Sequence, residues 1–456
     1  MSAPLRKGWC PGALRPMRTG DGLLVRVRLT GGALPAGTAR ALAQAARDFG
    51  NGLFDLSARA NLQMRGVSDD TLPPLLDRLS ALGVLDADEA AEQVRNVLAS
   101  PLAGLDPMAL IDVTALTRRL EGRLTADPAL HALPPKFGFL VDGGGALRLD
   151  GVEADIGLRA ADADVFRLTA GHATLGFVAP ENAIEAALDV ARAFLRHRRP
   201  DERRMRDLVK RLQDEACETP LPGRERGGGE GGVLEELSPA SRFIRPGLAP
   251  QPSPEPGEGR APLLAGCKLF GDGHASGFFA AAAPFGRLDA DQLAGLATLA
   301  EKQGTALRLS PWRAIILAPV PAGEAASLGT AIASLGLVVD DTDPRLAIAA
   351  CPGSPSCLSG QASAQADAAR LAPVFAPFIR AGASVHVSGC AKGCARRAPA
   401  SIVLVGQGGR YGLAFDADSR APSETAPMDI GEIAALLKRR VAANGAKKNS
   451  AERDSP

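Results

Sequence analysis

Residues 22–67 read GLLVRVRLTGGALPAGTARALAQAARDFGNGLFDLSARANLQMRGV, and residues 277–320 read GFFAAAAPFGRLDADQLAGLATLAEKQGTALRLSPWRAIILAPV. Each stretch runs strand, turn, amphipathic helix, then two strands separated by a short turn. Leu42, Ala45, Ala46 and Phe49, and later Leu293, Leu296 and Leu299, recur at helical spacing. The exits match as well: GVLDADEAAEQVRNVLASPLAG follows the first copy and GLVVDDTDPRLAIAACPGSPSC the second. A duplicated α+β unit, each copy followed by a larger module, is the simplest organisation.

The 456 residues exceed what one hydrophobic core usually holds, so several folded units are expected. Between the copies, KFGFLVDGGGALRL suggests strand, Gly-rich turn and strand, and ENAIEAALDVARAFLRHR and PDERRMRDLVKRLQDEAC read as helices. From Thr219 the chain turns rich in Gly, Pro and Glu, the composition of a linker in which only LEELSPASRFIRPGL could dock. The tail RRVAANGAKKNSAERDSP reads as disordered. A formal charge of +1 gives no reason to expect nucleic acid. Neither a secretory leader nor a transmembrane-length apolar span is evident, so the expectation is a soluble cytoplasmic protein without a membrane partner.

Four of the seven cysteines fall into two pairs, Cys351-x5-Cys357 and Cys390-x3-Cys394. Such clustering suits a reducing compartment and metal ligation better than a disulfide framework. Thiolates on two Gly- and Pro-rich turns, CPGSPSC and SGCAKGC, can surround an iron–sulfur cube. Structural zinc and four buried structural cysteines are the alternatives, though five intervening residues are wide for zinc. Cys10, Cys217 and Cys267 stand alone and read as small buried residues. His386, on a strand beside Cys390, reads as a half-buried structural residue.

In LSARANLQMRG, Arg59, Asn61, Gln63 and Arg65 alternate with Ala60, Leu62 and Met64, so strand periodicity sends the polar groups to one face. The same rule places Arg26 and Arg28 opposite Val25, Val27 and Leu29. Several guanidinium groups on one sheet suit a ligand with multiple carboxylates, although a solvated face gives the same pattern. The second copy reads Trp312, Ala314, Ile316 and Ala318 at the corresponding positions, which suits protein or an apolar part of the ligand. Arg95, Asn96 and Lys136 follow the first copy. No GxGxxG follows a strand, so reducing equivalents are expected from a separate donor.

Taken together, these motifs resemble the sulfite and nitrite reductase superfamily. SARANLQMRG is similar to its TTRQNIQIRG strand, the cysteines match its C-x5-C and C-x3-C pairs, and Arg95-Asn96 matches its Arg-Asn pair. The resemblance implies an α+β, nitrite/sulfite reductase-like fold: ferredoxin-like half-domains at 1–85 and 263–342, α/β modules at 86–218 and 343–432, a linker at 219–262, and a helix end and tail at 433–456. It implies a [4Fe-4S] cluster on Cys351, Cys357, Cys390 and Cys394. Tetrapyrrole binding falls to Arg26, Arg28, Arg59, Asn61, Gln63, Arg65 and Asn96, with Arg95 and Lys136 as catalytic candidates.

Within the superfamily, GWCPG, PMRTGDGLLVRV and SGCAKGCAR are similar to the oxygen-dependent branch that acts on precorrin-3A in aerobic cobalamin biosynthesis. Where the reductases carry Lys-x-Lys, PPKFGFL keeps Lys136 but has Gly138, so a group that would hold sulfite or nitrite is missing. The branch implies precorrin-3A and dioxygen as substrates, an external electron-donor reductase with NADH as indirect electron source, and non-haem iron whose ligands are not assignable. Hydroxylation at C20 with closure of the ring A acetate to a γ-lactone is the implied monooxygenase reaction. A sirohaem-dependent sulfite or nitrite reductase is the alternative.

Overall fold

The computed structural model describes residues 11–218, 264–271, 273–396 and 398–451. Cys10 and the Gly/Pro/Glu-rich stretch, including LEELSPASRFIRPGL, lie outside the described residues.

Each copy of the repeat forms an antiparallel sheet, and each sheet is completed by the other copy. The first runs Met17–Thr19, Gly22–Val27, Leu62–Val67, Leu53–Leu56 and then Arg287–Asp289. The second runs Gly266–Leu269, Ser276–Ala282, Ala314–Pro321, Ala306–Leu309 and then Ala33–Leu34. Leu288 thus pairs with Phe54, and Leu34 with Leu307. Helices Ala36–Phe49 and Ala290–Gln303 share one core, in which Leu42, Phe54 and Leu62 meet Leu293, Leu296 and Leu307. The second helix is well punctuated: Asp289 and Gln292 form a reciprocal capping box, and Gly304 ends it at φ 63°.

The two modules also repeat one design. In the first, Val97–Ala99, Phe139–Asp142 and Ile156–Asp162 are parallel, with Val165–Ala170 and Ala173–Val178 folding back. In the second, Ile348–Ala350, Val385–Ser388 and Ala400–Gln407 are parallel, with Arg410–Ala417 folding back. Parallel neighbours require a crossover, supplied by helices Thr114–Ala126 and Ala364–Arg380. Ala314, Ile316 and Ala318 are buried against Leu102 and Leu147 of the first module, so this face of the second copy meets protein.

Several local expectations change. Ser57–Asn61 is a turn rather than strand: Ser57 N donates to Asn61 O, Ala60 N donates to Ser57 O, and Ala60 has φ 52°. The strand begins only at Leu62, so Arg59 and Asn61 do not share its pleat with Gln63 and Arg65. Residues Ala146–Leu149 are loop, because the buried Asp142 carboxylate accepts from the backbone N–H groups of Gly144 and Leu149 and holds the chain in a turn. The C-terminal tail is helical over Ile430–Ala451. Arg28 follows its strand and is buried rather than facing solvent.

His386 is fully buried rather than half-buried, flanked by Ala349 and Val403, and neither ring nitrogen has a hydrogen-bond partner among the described residues. Burial, with the charge of Arg396 added, pulls its pKa down to about 4. The folded protein therefore keeps His386 neutral while the unfolded chain takes up a proton near pH 6.5. Its contribution to stability is intact above that pH and is lost as pH falls towards 4, at up to about 1.4 kcal/mol per pH unit. Denaturant titrations at pH 7 and pH 5 should show His386→Leu losing less stability than the parent; equal losses would rule His386 out as the source.

Candidate functional site

Adjacent parallel strands deliver their C-terminal loops to the same sheet edge, the usual position of ligand sites in such sheets. Cys351 and Cys357 follow Ile348–Ala350, and Cys390 and Cys394 follow the neighbouring Val385–Ser388. The loops approach so closely that a Cβ at Gly389 would lie 2.9 Å from Gly353 Cα. Gly389 N donates to Cys351 Sγ at 3.1 Å, Ser388 Oγ donates to Cys390 O at 2.6 Å, and Lys392 Nζ donates to Ser359 Oγ at 2.6 Å.

The first module is an internal control for this arrangement. There Gly143 N donates to Ser100 Oγ at 2.9 Å, just as Gly389 N donates to Cys351 Sγ. Ser100 Oγ in turn donates to Asp142 Oδ1 at 2.8 Å, so that loop closes on its own carboxylate. The second module instead borders a cavity of about 380 Å³ that all four thiols line. Burial pushes the Cys394 thiol up, and the other three cysteines push it further; burial also raises Cys351. Iron would reverse that preference and favour thiolates. Among the described residues no three Cys, His, Asp or Glu groups converge as a single ion requires. Four thiols around a shared volume fit a cluster whose cysteines hold separate irons.

The first half-domain closes one side of the cavity with Gln63, Asp55 and Arg65, and the second contributes Phe285, Gly286 and Arg313. Arg65 is the clamp between units. Its Nε and Nη2 donate to the Asp21 carboxylate at 2.9 and 2.7 Å, Nη1 donates to Asp55 at 2.8 Å, and Nη2 also donates to Ser356 O at 2.6 Å. Gly20 N donates to the same carbonyl, and Arg287 donates to Asp55 at 2.7 Å from the other half-domain. Most of the N–H groups expected to meet substrate carboxylates are thus committed within the protein.

The remaining candidates fall elsewhere. Arg59 donates to Lys136 O at 2.8 Å and, with Asn96 and Gly138, lines a smaller pocket of about 40 Å³. Lys136 is exposed, and Asn96 Nδ2 donates to Phe137 O at 2.7 Å, pinning that loop. Asn61 is buried in its turn. Arg95 sits in an ion-pair cluster with Asp86 at 2.6 Å and Glu121 at 3.3 Å. Arg28 is bonded to the backbone carbonyl of Glu92, and burial lowers its pKa to about 10 against the pull of that residue's carboxylate. Arg26 keeps a buried Nε without a partner among the described residues. Arg313, Phe285 and Lys392 escaped the sequence reading because none lies on an alternating strand face.

Comparison with known proteins places this architecture. The Nitrite/Sulfite reductase ferredoxin-like half domain matches residues 15–82 and 273–334, and the Nitrite and sulphite reductase 4Fe-4S domain matches residues 90–215, together more than half of the chain. The chain belongs to the nitrite/sulfite reductase superfamily. It is an oxidoreductase of that superfamily, with two ferredoxin-like half-domains each paired with a larger α/β module. The 4Fe-4S match falls on residues 90–215 of the first module, a stretch that contains no cysteine, whereas the four paired cysteines occupy the second.

Superfamily relatives differ in how much of the chain they match. A precorrin-3B synthase from Sinorhizobium sp is 32% identical across 97% of this chain and 90% of that protein. A ferredoxin–nitrite reductase from Leptolyngbya laminosa is also 32% identical, but over 30% of this chain and 28% of its own. Sulfite reductase [ferredoxin] 2 from Mycolicibacterium paratuberculosis is 25% identical over 84% of this chain and 70% of its own. The fold matches the Mycobacterium tuberculosis NirA protein with a TM-score of 0.69 at 22% identity, covering 92% of this chain and 80% of that one. No helix among the described residues is long and apolar enough to cross a membrane.

Proposed function

We infer that this protein acts on a tetrapyrrole as a precorrin-3B synthase, hydroxylating precorrin-3A at C20 with dioxygen while the ring A acetate closes to a γ-lactone. The observation that carries the reading is a four-thiol cavity with a polar wall in a chain that matches a precorrin-3B synthase along nearly its whole length. Cys351, Cys357, Cys390 and Cys394 would hold a [4Fe-4S] cluster, which when bound supplies single-electron transfer from an external reductase drawing on NADH. Gln63 and Lys392, bordering the same cavity, orient the macrocycle by its polar periphery. Arg26, a carboxylate ligand by likeness to the superfamily, lies outside the residues that line this cavity and would act from its margin. Arg59 and Asn96 line a separate, smaller pocket, and with Arg95, Arg28 and Lys136 they would position the macrocycle edge or its co-substrate. Gly138 in place of a second lysine leaves less positive charge for an oxyanion, which suits neutral dioxygen.

The second reading, a sirohaem-dependent sulfite or nitrite reductase, draws support from the matched family models and from the sulfite reductase likeness over most of the chain. Anaerobic purification with a visible spectrum and pigment extraction separates the two. Broad iron–sulfur absorption without haem bands, together with dioxygen-dependent loss of added precorrin-3A, is the expected result. Stoichiometric sirohaem with sulfite or nitrite reduction would replace this reading with the second.

A further inference from the structure

The two copies share an unusual backbone at two turns but differ in the side chains placed there. In the first copy Gly31, Gly32 and Ala60 have φ of 57°, 68° and 52°. The equivalent positions of the second copy are Phe285, Gly286 and Arg313, with φ of 56°, 79° and 60°. The left-handed region is cheap for glycine and costly for a bulky L-residue, and such strain persists where the surrounding structure holds it for a purpose. The first copy shows that this fold is built with small residues at these turns. The second accepts strain at Phe285 and Arg313, and both of these side chains line the cavity bordered by the four cysteines.

Arg313 is also electrostatically exposed to loss. Its side chain has no hydrogen bond or ion pair among the described residues, and Asp55, the acid nearest in charge, is already bonded to Arg65 and Arg287. Burial disfavours its charge. Gly286 makes room for it, since a Cβ there would lie 2.7 Å from Arg313 Cδ. A partly buried guanidinium on a strained turn, with no bonded partner among the described residues, is poorly explained by stability, but it is what a carboxylate-bearing ligand requires. Phe285 packs against the core of the cysteine module and Gln365 Nε2 donates to its carbonyl at 3.5 Å, so the turn is braced from that side.

We propose that Arg313 is the anion-receiving residue of this cavity, presented by the second half-domain to clamp a carboxylate of the tetrapyrrole. This rests on the tetrapyrrole reading above and adds the residue that reads the ligand's charge. The test uses the full chain, prepared anaerobically, with uroporphyrin as a polycarboxylate probe followed by fluorescence quenching. Arg313→Gln should weaken binding by about ten- to a hundredfold, the worth of one charge-assisted hydrogen bond, and Arg313→Lys should recover part of it. Iron content should be unchanged, and the melting temperature of Arg313→Gln unchanged or raised, because a partly buried charge with no bonded partner among the described residues has been removed. Equal affinity in Arg313→Gln and the parent overturns the proposal while leaving the tetrapyrrole reading intact. Lowered melting or failure to fold in Arg313→Gln overturns it in favour of a structural role. Absence of porphyrin binding by the parent defeats the tetrapyrrole reading and this proposal together.

Discussion

In Cys390→Ala, iron and acid-labile sulfide should fall to background and the visible absorption should disappear with them. Cys390 lines the same cavity as Cys351, Cys357 and Cys394, and its loop is tied back by Ser388 Oγ through the Cys390 carbonyl. The substitution leaves that backbone bond available, so the loop can persist while a ligand to the cluster is lost. A Cys267→Ala variant is the matched control: Cys267 lies on the edge strand Gly266–Leu269 of the second half-domain and does not line the cavity. It should keep its iron. Iron and sulfide retained in Cys390→Ala would remove this cysteine from the ligand set and reopen the structural reading of the pairs.

Arg65→Leu should lower stability by about 3–5 kcal/mol, the cost of removing one partner from a buried ion pair. The reason is geometric. Arg65 is 2% exposed and holds Asp21, Asp55 and the Ser356 carbonyl at once, so its loss leaves two partly buried carboxylates and a carbonyl short of donors. Because Ser356 immediately precedes Cys357, the cysteine loop should loosen as well, and iron should be released faster to a chelator. Thermal melting should shift down by roughly 3–5 °C for a chain of this size. Unchanged melting with weakened tetrapyrrole binding would instead make Arg65 a ligand residue, as strand alternation alone suggests.

That contrast marks how far residue patterns reach. Helical spacing at Leu42, Ala45 and Ala46 and at Leu293 and Leu296 identified both buried faces, because a helix face is a local property of consecutive residues. The cysteine spacing was equally readable, since each pair sits on one tight turn. Alternation through SARANLQMRG misplaced Arg59 and Asn61 because the left-handed Ala60 interrupts the pleat, and nothing in an alanine announces positive φ. Arg28 and Arg65 read as free cations because their partners Glu92, Asp21 and Ser356 are distant in the chain.

By itself, then, the sequence determined the duplication, the helix faces, the thiol pairs and the superfamily, all of which are written in short-range spacing. The tertiary structure alone decided that each copy lends a short strand to the other's sheet, that Arg65 is consumed as a clamp, and that Arg313 reaches the cavity without a bonded partner among the described residues. Those outcomes depend on pairings across hundreds of residues, and the energy of a charge depends on what is packed against it.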